Sequence, residues 1–181
     1  MAGLTDLLQK LSIVLSKANN PGRGEKNSPP APPEPKEKDP TALDTSLSGW
    51  FKEETGELIE GFKISPEDIV LDVGCGDSPF LHFCAMRGAE VIFADMDEQK
   101  VAAMTKMLEG SPARSVAAHV CDASALPIPD ASVSKIIAME IMEHVEDPAL
   151  FLKELVRVGK PGAQYLITVP DSVAEHLQKH L

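Results

Sequence analysis

The sequence predicts a doubly wound α/β domain with a mostly parallel sheet and helices on both faces. Three observations lead to this fold class. Apolar strand-like runs alternate with helical runs from about residue 41 onward, no internal repeat occurs, and the first buried run ends in a glycine turn that starts a helix. Strands joined through helices form right-handed crossovers, which place the strands parallel in one sheet.

The elements follow one another in a regular order after the segment 47–61, which is interpreted as a helix ending near Gly61. Predicted strands cover residues 68–73, 90–95, 115–122, 133–140 and 163–170. Predicted helices cover residues 79–88, 97–110 and 147–162, and a last helix begins around Ser172. Asp147 is the expected N-cap of its helix, with Pro148 at the first helical position.

Two further segments precede the domain, which is expected to span residues 41–181. Residues 1–18 place leucines and a valine at helical spacing and predict a short amphipathic helix. Residues 19–40 are rich in proline and charge and predict a disordered linker. The helix is expected either to dock on a partner or membrane surface or to pack loosely as a terminal helix.

The overall charge limits the classes of partner. A formal net charge of −11 argues against a nucleic-acid partner, because no basic surface would release counterions, and an anionic membrane is disfavoured for the same reason. No apolar run is long enough for a transmembrane segment, and the N-terminus lacks the basic region of a secretory signal. The three cysteines have no metal-binding spacing, so we expect free thiols, no metal and a cytoplasmic protein.

The first strand-to-helix turn, "GCGDSP", is the main candidate binding element. In a doubly wound sheet ligands bind beyond the carboxyl ends of the strands, where the strand order reverses. Gly74 and Gly76 allow a positive φ and close approach of a ligand to the backbone. Ser78 is expected to cap the next helix and Pro79 to occupy its first turn, so the helix N-terminus would favour an anionic group.

Acidic residues lie at the ends of the first three strands, at Asp72, Asp95 and Asp122. Asp95 follows the glycine turn by about twenty residues, where a carboxylate can accept hydrogen bonds from both ribose hydroxyls. A dinucleotide is disfavoured, because Pro79 stands where its loop has a third glycine and the acids would repel the pyrophosphate. A cationic, ribose-bearing ligand that also has a carboxylate fits better, and S-adenosyl-L-methionine has these groups.

Four stretches resemble class I S-adenosylmethionine-dependent methyltransferases, in particular the small-molecule branch called type 11. They are "LDVGCG", "VIFADMD", "CDASALPIPDASVSKIIAMEIMEHVEDP" and "LFLKELVRVGKPGAQYLITVP", and the resemblance runs from about residue 69 to residue 170. It implies the Rossmann-like methyltransferase fold and S-adenosyl-L-methionine as the cofactor.

The resemblance also implies roles for single residues. The methionine part of the cofactor would be cradled by Asp72, Gly74, Cys75 and Gly76. Asp95 would hold the ribose and Met96 would lie against the adenine, whose edge Asp122 and Ala123 would reach. Met139 would line the pocket near the sulfonium, although packing in the core is an equal expectation for both methionines.

His144 is the candidate catalytic residue. A hydroxyl acceptor can need a base, which a histidine titrating near neutral pH supplies. The alternative is that His144 shapes the cofactor pocket or caps the next helix. Glu140 and Glu143 flank it, and either could orient the imidazole, but each is more often a surface or capping acid.

The sequence departs from the family pattern in two places that matter. Residues 77–79 read Asp-Ser-Pro where the family usually has another small residue, a turn shared with a branch that includes protein-lysine enzymes. The chain also stops at Leu181, inside the helix after its fifth strand. We therefore expect a fragment, or a chain whose fifth strand is covered by a partner or a missing C-terminal segment.

Three functions remain open at this point. The first is a methyltransferase acting on a small-molecule, lipid or glycan acceptor, with a hydroxyl as the expected acceptor group. The second is a protein (lysine) methyltransferase of the same fold. The third is a non-catalytic cofactor-binding subunit, against which the intact acids at positions 72, 95 and 122 count.

Overall fold

The structure, a computed structural model, describes residues 49–169. A short antiparallel hairpin comes first, with β1 Glu57–Ile59 and β2 Phe62–Lys63. The main sheet has five strands: β3 Ile69–Val73, β4 Glu90–Asp95, β5 Ser115–Val120, β6 Val133–Met139 and β7 Gly159–Thr168. Three helices lie between them: α1 Pro79–Met86, α2 Glu98–Leu108 and α3 Pro148–Val158.

The order of strands in the main sheet is β5-β4-β3-β6-β7, and every pairing is parallel. The chain runs outward from β3 through β4 to β5, and then returns to the other side of β3 with β6. The strand order therefore reverses between β3 and β6, which is the switch point where such sheets bind ligands. This topology confirms the predicted fold class.

Both faces of the sheet are covered by apolar layers. Helices α1 and α2 and the hairpin pack on one face, around buried residues such as Phe93, Leu58 and Leu81. Helix α3 and the segment 123–128 pack on the other face, around Phe151 and Leu155. Burial on both faces explains why the central strands consist of continuous apolar runs instead of an alternating pattern.

The helix predicted for residues 47–61 is wrong where the structure describes that segment. Residues 57–63 form the β1–β2 hairpin instead, and Leu58 is fully buried in the core below it. Gly56, inside the predicted helix, adopts a φ of +75°, which a helix interior does not accommodate, and Gly61 turns the hairpin with a φ of +82°. The amide of Gly61 also donates to the Glu57 carboxylate across the turn, so Gly56 and the burial of Leu58 override the helical spacing.

The predicted helix starts are confirmed. Ser78 caps α1, with Pro79 at its first position, and Asp147 caps α3 in the same way with Pro148. Helix α3 ends at Val158 and not at residue 162, because strand β7 already begins at Gly159.

The remaining predictions on elements fall outside the described residues. They are the helix at residues 1–18, the linker at 19–40 and the helix expected from Ser172. Within residues 49–169, no helix is long and apolar enough to cross a membrane.

Candidate cofactor site

The glycine turn lies between β3 and α1 at the switch point, and its backbone is held by the end of β4. The amide of Gly74 donates to the carbonyl of Ala94 at 2.8 Å, and the amide of Gly76 donates to Asp95 Oδ2 at 3.2 Å. Because both amides already donate to residues of β4, the glycines contribute to the site by their backbone conformation and by the absence of a side chain. Their φ values are +71° and +46°, in the left-handed region that favours glycine.

Gly74 is also required by its neighbour on the far side of the turn. A Cβ at this position would lie 2.6 Å from Cδ1 of Ile141, a residue just after β6. The loop that follows β6 therefore rests directly on the glycine turn. Sequence spacing gave no indication of this contact, because 67 positions separate the two residues in the chain.

Asp72 is the one charged residue that is buried in the described part of the chain, with 1% of its surface exposed. Burial raises the pKa of its carboxyl to about 7, and repulsion from Asp95 adds to the rise, while the nearby Ser78 hydroxyl partly offsets it. Its Oδ2 atom has no hydrogen-bond partner among residues 49–169. An unpaired acceptor of this kind fits a ligand that brings a positively charged donor to the turn.

Asp95 ends β4 with its carboxylate oriented by two backbone amides. Oδ2 accepts from Gly76 as described, and Oδ1 accepts from the amide of Asp97 at 2.9 Å. A carboxylate has about four acceptor positions, so both oxygens retain capacity for further donors such as ribose hydroxyls. Met96 follows with 73% of its surface exposed, which leaves an apolar side chain open beside this acid.

The end of β5 is tied to the end of β4, since the amide of Cys121 donates to the carbonyl of Asp95 at 3.1 Å. Asp122 is exposed, and its Oδ1 accepts from both the hydroxyl and the amide of Ser124, which lowers the pKa of the carboxyl. The structure therefore presents an ionised acceptor at the third strand end. Ala123 is buried next to it, in the core layer below α3.

Cys75 lies inside the glycine turn as a buried free thiol. Burial raises its pKa to about 12, and the negative charges of Asp72 and Asp95 act in the same direction. The thiol is therefore neutral at physiological pH and is unsuited to act as a nucleophile. Its contribution to the site is packing.

The end of β6 forms the other side of the switch point. Met139 is partly buried, and its sulfur accepts from the Thr168 hydroxyl at 3.7 Å. Glu140 follows with φ of +51° and donates its amide to the carbonyl of Thr168 at 3.2 Å. A non-glycine residue in this region is strained by an amount of about 1–3 kcal/mol, and such strain is concentrated at functional sites.

Glu143 is much less exposed than the neighbouring His144. The side chain of His144 is 77% exposed, whereas that of Glu143 is 15% exposed. The distance from His144 Nε2 to Glu143 Oε1 is 4.0 Å, and Oε2 of Glu143 has no hydrogen-bond partner within the described chain. The sequence favours a surface or capping acid at Glu143, with orientation of the imidazole as the alternative. Nothing in its spacing indicates that the turn at residues 141–144 leaves its side chain so little exposed.

The structure thus brings a glycine turn, an unpaired buried acid and two strand-end acids to one edge of the sheet. In the described residues, no group of three or more His, Cys, Asp or Glu side chains is placed to hold a metal ion. The fold and this edge define a class of protein, the doubly wound domains that bind a ribose-bearing cofactor at the switch point. The acids favour a cofactor with positive charge.

Comparison with known proteins identifies the particular family. Residues 71–167 match the family described as "Methyltransferase domain", and the chain belongs to this family. The resemblance to class I S-adenosylmethionine-dependent methyltransferases is thereby confirmed, and S-adenosylmethionine is the cofactor of the family.

Two curated relatives and one solved structure illustrate the similarity. A "Probable S-adenosylmethionine-dependent methyltransferase" of Mycolicibacterium smegmatis is 32% identical, over 58% of this chain and 38% of that protein. A "Ubiquinone biosynthesis O-methyltransferase" of Leptothrix cholodnii is 33% identical, over 62% of this chain and 46% of that protein. The crystal structure of a methyltransferase from Aquifex aeolicus is 25% identical, with a TM-score of 0.57 over 72% of each chain.

The match covers less than half the length of these two curated relatives. The residues that match the family, 71–167, contain most of the main sheet and its cofactor edge.

Proposed function

We propose that this protein transfers the methyl group of S-adenosylmethionine to a hydroxyl of a small molecule, lipid or glycan. The observation that supports this proposal is the buried Asp72 next to the glycine turn, whose Oδ2 atom has no hydrogen-bond partner among residues 49–169. S-adenosylmethionine has an ammonium group and a sulfonium, and either would give this carboxylate a positively charged partner. The neighbouring Asp95, oriented by two backbone amides, supplies acceptors for the ribose.

The residues would divide the cofactor among them. Asp72, Gly74, Cys75 and Gly76 would hold the methionine part, the glycines by leaving room for it. Asp95 would accept both ribose hydroxyls, and Met96 would cover one face of the adenine. Asp122 would accept from the adenine amino group beside Ala123. Met139 would line the methionine end.

The bound cofactor supplies an activated methyl group on a positively charged sulfur. The protein's main contribution is then to hold the acceptor oxygen in line with that methyl group, which supplies a large part of the acceleration. His144 would take the proton from the acceptor hydroxyl as the methyl group is transferred. Glu143, 4.0 Å from the imidazole, would stabilise the imidazolium that forms.

The acceptor class rests on the relatives. The printed name of the Leptothrix cholodnii protein describes an O-methyltransferase, which supports a hydroxyl acceptor on a small molecule. At 33% identity the name supports the reaction type and not a particular substrate. A methyl-transfer assay that includes protein extracts distinguishes a protein acceptor from a small molecule.

A further contact is proposed at the sheet edge. Among residues 49–169, β7 pairs only with β6, which leaves one edge of an apolar strand without a partner strand. We expect this edge to be covered by a further segment or a partner protein, because open apolar edges promote aggregation.

Calorimetric titration with S-adenosylhomocysteine, the demethylated cofactor, tests the site. Asp95→Asn should weaken binding by about tenfold or more, since hydrogen bonds to a charged group contribute about 1.5–3 kcal/mol. Glu67→Gln is the matched control, because Glu67 is an exposed acid at the opposite edge of the sheet. No binding by the parent, or equal binding by Asp95→Asn, would refute the proposed site.

Transfer of a radiolabelled methyl group tests the reaction. The parent protein is incubated with labelled S-adenosylmethionine and panels of phenols, glycans, lipids and protein extracts. Label in a hydroxyl-bearing small molecule, lipid or glycan supports the proposal. Label in protein alone would instead identify a protein methyltransferase. Cofactor binding without transfer to any panel would favour a non-catalytic subunit.

A further inference from the structure

The segment that follows Asp122 lies on α3 without forming a helix or strand of its own. Residues 121–132 connect β5 to β6, and Ala123, Leu126 and Ile128 are buried in the layer below α3. The amide of Ala125 donates to the carbonyl of Asp122 at 3.1 Å, so this segment continues directly from the strand-end acid.

Two prolines leave this segment short of backbone donors. Pro127 and Pro129 have no N–H group, and the amide of Ile128 closes a three-residue turn onto the carbonyl of Leu126 at 2.8 Å. The segment cannot join either neighbouring strand through a regular ladder. Its position must therefore be set by contacts from outside, and these come from α3.

Arg157 of α3 makes three of those contacts through one guanidinium group. Nη1 donates to the carbonyl of Ile128 at 2.9 Å, and Nη2 donates to the carbonyl of Leu126 at 3.0 Å. Nη1 also pairs with the exposed Asp130 carboxylate. A planar guanidinium with five donors can make these bonds together, whereas a lysine ammonium cannot reach all of them.

Glu154, one helical turn earlier, fixes the guanidinium and the segment at once. Its Oε2 accepts from Arg157 Nε at 2.8 Å, and its Oε1 accepts from Nη2 at 2.7 Å. The same Oε1 accepts from the amide of Leu126 at 2.8 Å. Its side chain is 13% exposed, so solvent competes little for these bonds.

The backbone of α3 completes the attachment. The amide of Ala131 donates to the carbonyl of Arg157, and that of Ser132 donates to the carbonyl of Val158, both at 2.8 Å. Helix α3 therefore holds residues 126–130 by side chains and residues 131–132 by its terminus, and this held stretch begins four residues after Asp122.

We propose that Arg157 and Glu154 are positioning residues for adenine recognition, acting through the segment 122–131 that they hold against α3. This inference rests on the proposed function, in which Asp122 accepts from the adenine amino group. A carboxylate at that place should select adenine over hypoxanthine, whose oxygen at the same ring position is itself an acceptor. Selection requires that Asp122 keep its place, which is the task of the two α3 residues.

The test compares two ligands on the full chain by calorimetry. One is S-adenosylhomocysteine, and the other is its analogue with hypoxanthine in place of adenine. The parent should bind the adenine compound about tenfold or more tightly, because the wrong base leaves an acceptor facing an acceptor. Arg157→Lys should reduce this preference severalfold, mainly by weakening binding of the adenine compound.

Arg114→Lys is the matched control. Arg114 also donates to backbone carbonyls, those of Pro66 and Asp68, and pairs with Glu90, but it does so at the amino edge of the sheet. Hydrogen exchange should quicken at residues 123–131 in Arg157→Lys and stay unchanged there in Arg114→Lys. If Arg157→Lys does not fold, Glu154→Gln, which keeps the size of the side chain, takes its place.

The preference for adenine separates positioning from general stability, since loss of stability lowers both affinities alike and leaves their ratio unchanged. A parent-like ratio in a folded Arg157→Lys protein would overturn the inference and leave the proposed function standing. A parent that binds the adenine compound without any preference would also overturn it. A parent that does not bind S-adenosylhomocysteine would refute the proposed function and this inference with it.

Discussion

Replacing Asp72 by asparagine removes a buried negative charge from the cofactor edge, and the effect should depend on pH. The pKa of the Asp72 carboxyl lies at about 7 in the folded protein, against an ordinary value of 3.8. The protonated acid is favoured on folding, so this group's contribution to stability is full below about pH 3.8 and is lost as the pH rises through 7. The whole difference corresponds to about 4 kcal/mol.

Urea unfolding of the parent and of Asp72→Asn between pH 5 and pH 8 measures this effect. Each pH step between the two pKa values is worth about 1.4 kcal/mol, so the parent should lose about 2–3 kcal/mol relative to the variant over this range. Taking the difference between the two proteins cancels the contributions of all other titrating groups. If the free energies of unfolding of the parent and of Asp72→Asn change in parallel with pH, the Asp72 carboxyl does not have a raised pKa in the folded protein.

The same residue links pH to cofactor binding. The ammonium group of S-adenosylhomocysteine, placed next to Asp72, lowers the pKa of its carboxyl, so this ligand should bind more tightly as the pH rises from 6 to 8 and should release protons on binding near pH 7. Calorimetry in buffers of different ionisation enthalpy counts these protons. Asp72→Asn should bind weakly and release none, and equal proton release by the variant would contradict the role given to this acid.

Two other predictions concern the loop after β6. Gly74→Ala should lower the free energy of unfolding by more than the cost of about 1–2 kcal/mol for a left-handed alanine, because the new Cβ also meets Ile141. In an Ile141→Ala background, which loses packing of its own, Gly74→Ala should cost only the left-handed part, as thermal unfolding of the parent, both single variants and the double variant measures; no cost in that background would show that the positive φ is not costly. His144→Gln should lower kcat by about a hundredfold with an unchanged Kd for S-adenosylhomocysteine, which transfer assays and calorimetry measure on the same protein. Unchanged kcat would exclude His144 as the base, and a similar loss in Glu143→Gln would support its role beside the imidazole.

The fold could be predicted from the sequence because its core elements carry local signals that agree with their tertiary roles. The apolar run of β3 is buried on both faces, and Asp147 with Pro148 starts α3 by local chemistry alone. The β1–β2 hairpin could not be predicted in the same way. Its apolar spacing fits a helix, and only the left-handed Gly56, together with burial of Leu58, decides against it.

In the candidate site, too, some features can be predicted from the sequence and others depend on tertiary packing. The glycine turn and the strand-end acids are placed by topology, since parallel strands bring their carboxyl ends to one edge. The contact of Ile141 with Gly74, the burial of Glu143 and the attachment of residues 126–130 by Arg157 depend on how a loop and a helix pack. Such contacts join residues far apart in sequence or buried by a single turn, and no periodic pattern encodes them.

A crystal structure of the full chain with bound S-adenosylhomocysteine would show whether the cofactor binds at the carboxyl edge of the sheet. We expect the ligand to lie across the carboxyl ends of β3, β4 and β5, with both ribose hydroxyls within hydrogen-bond distance of Asp95. The amino group of its methionine part should lie near the unpaired oxygen of Asp72, and the adenine amino group near Asp122. A ligand bound elsewhere, or bound at this edge with Asp95 contacting no ribose oxygen, would contradict the account.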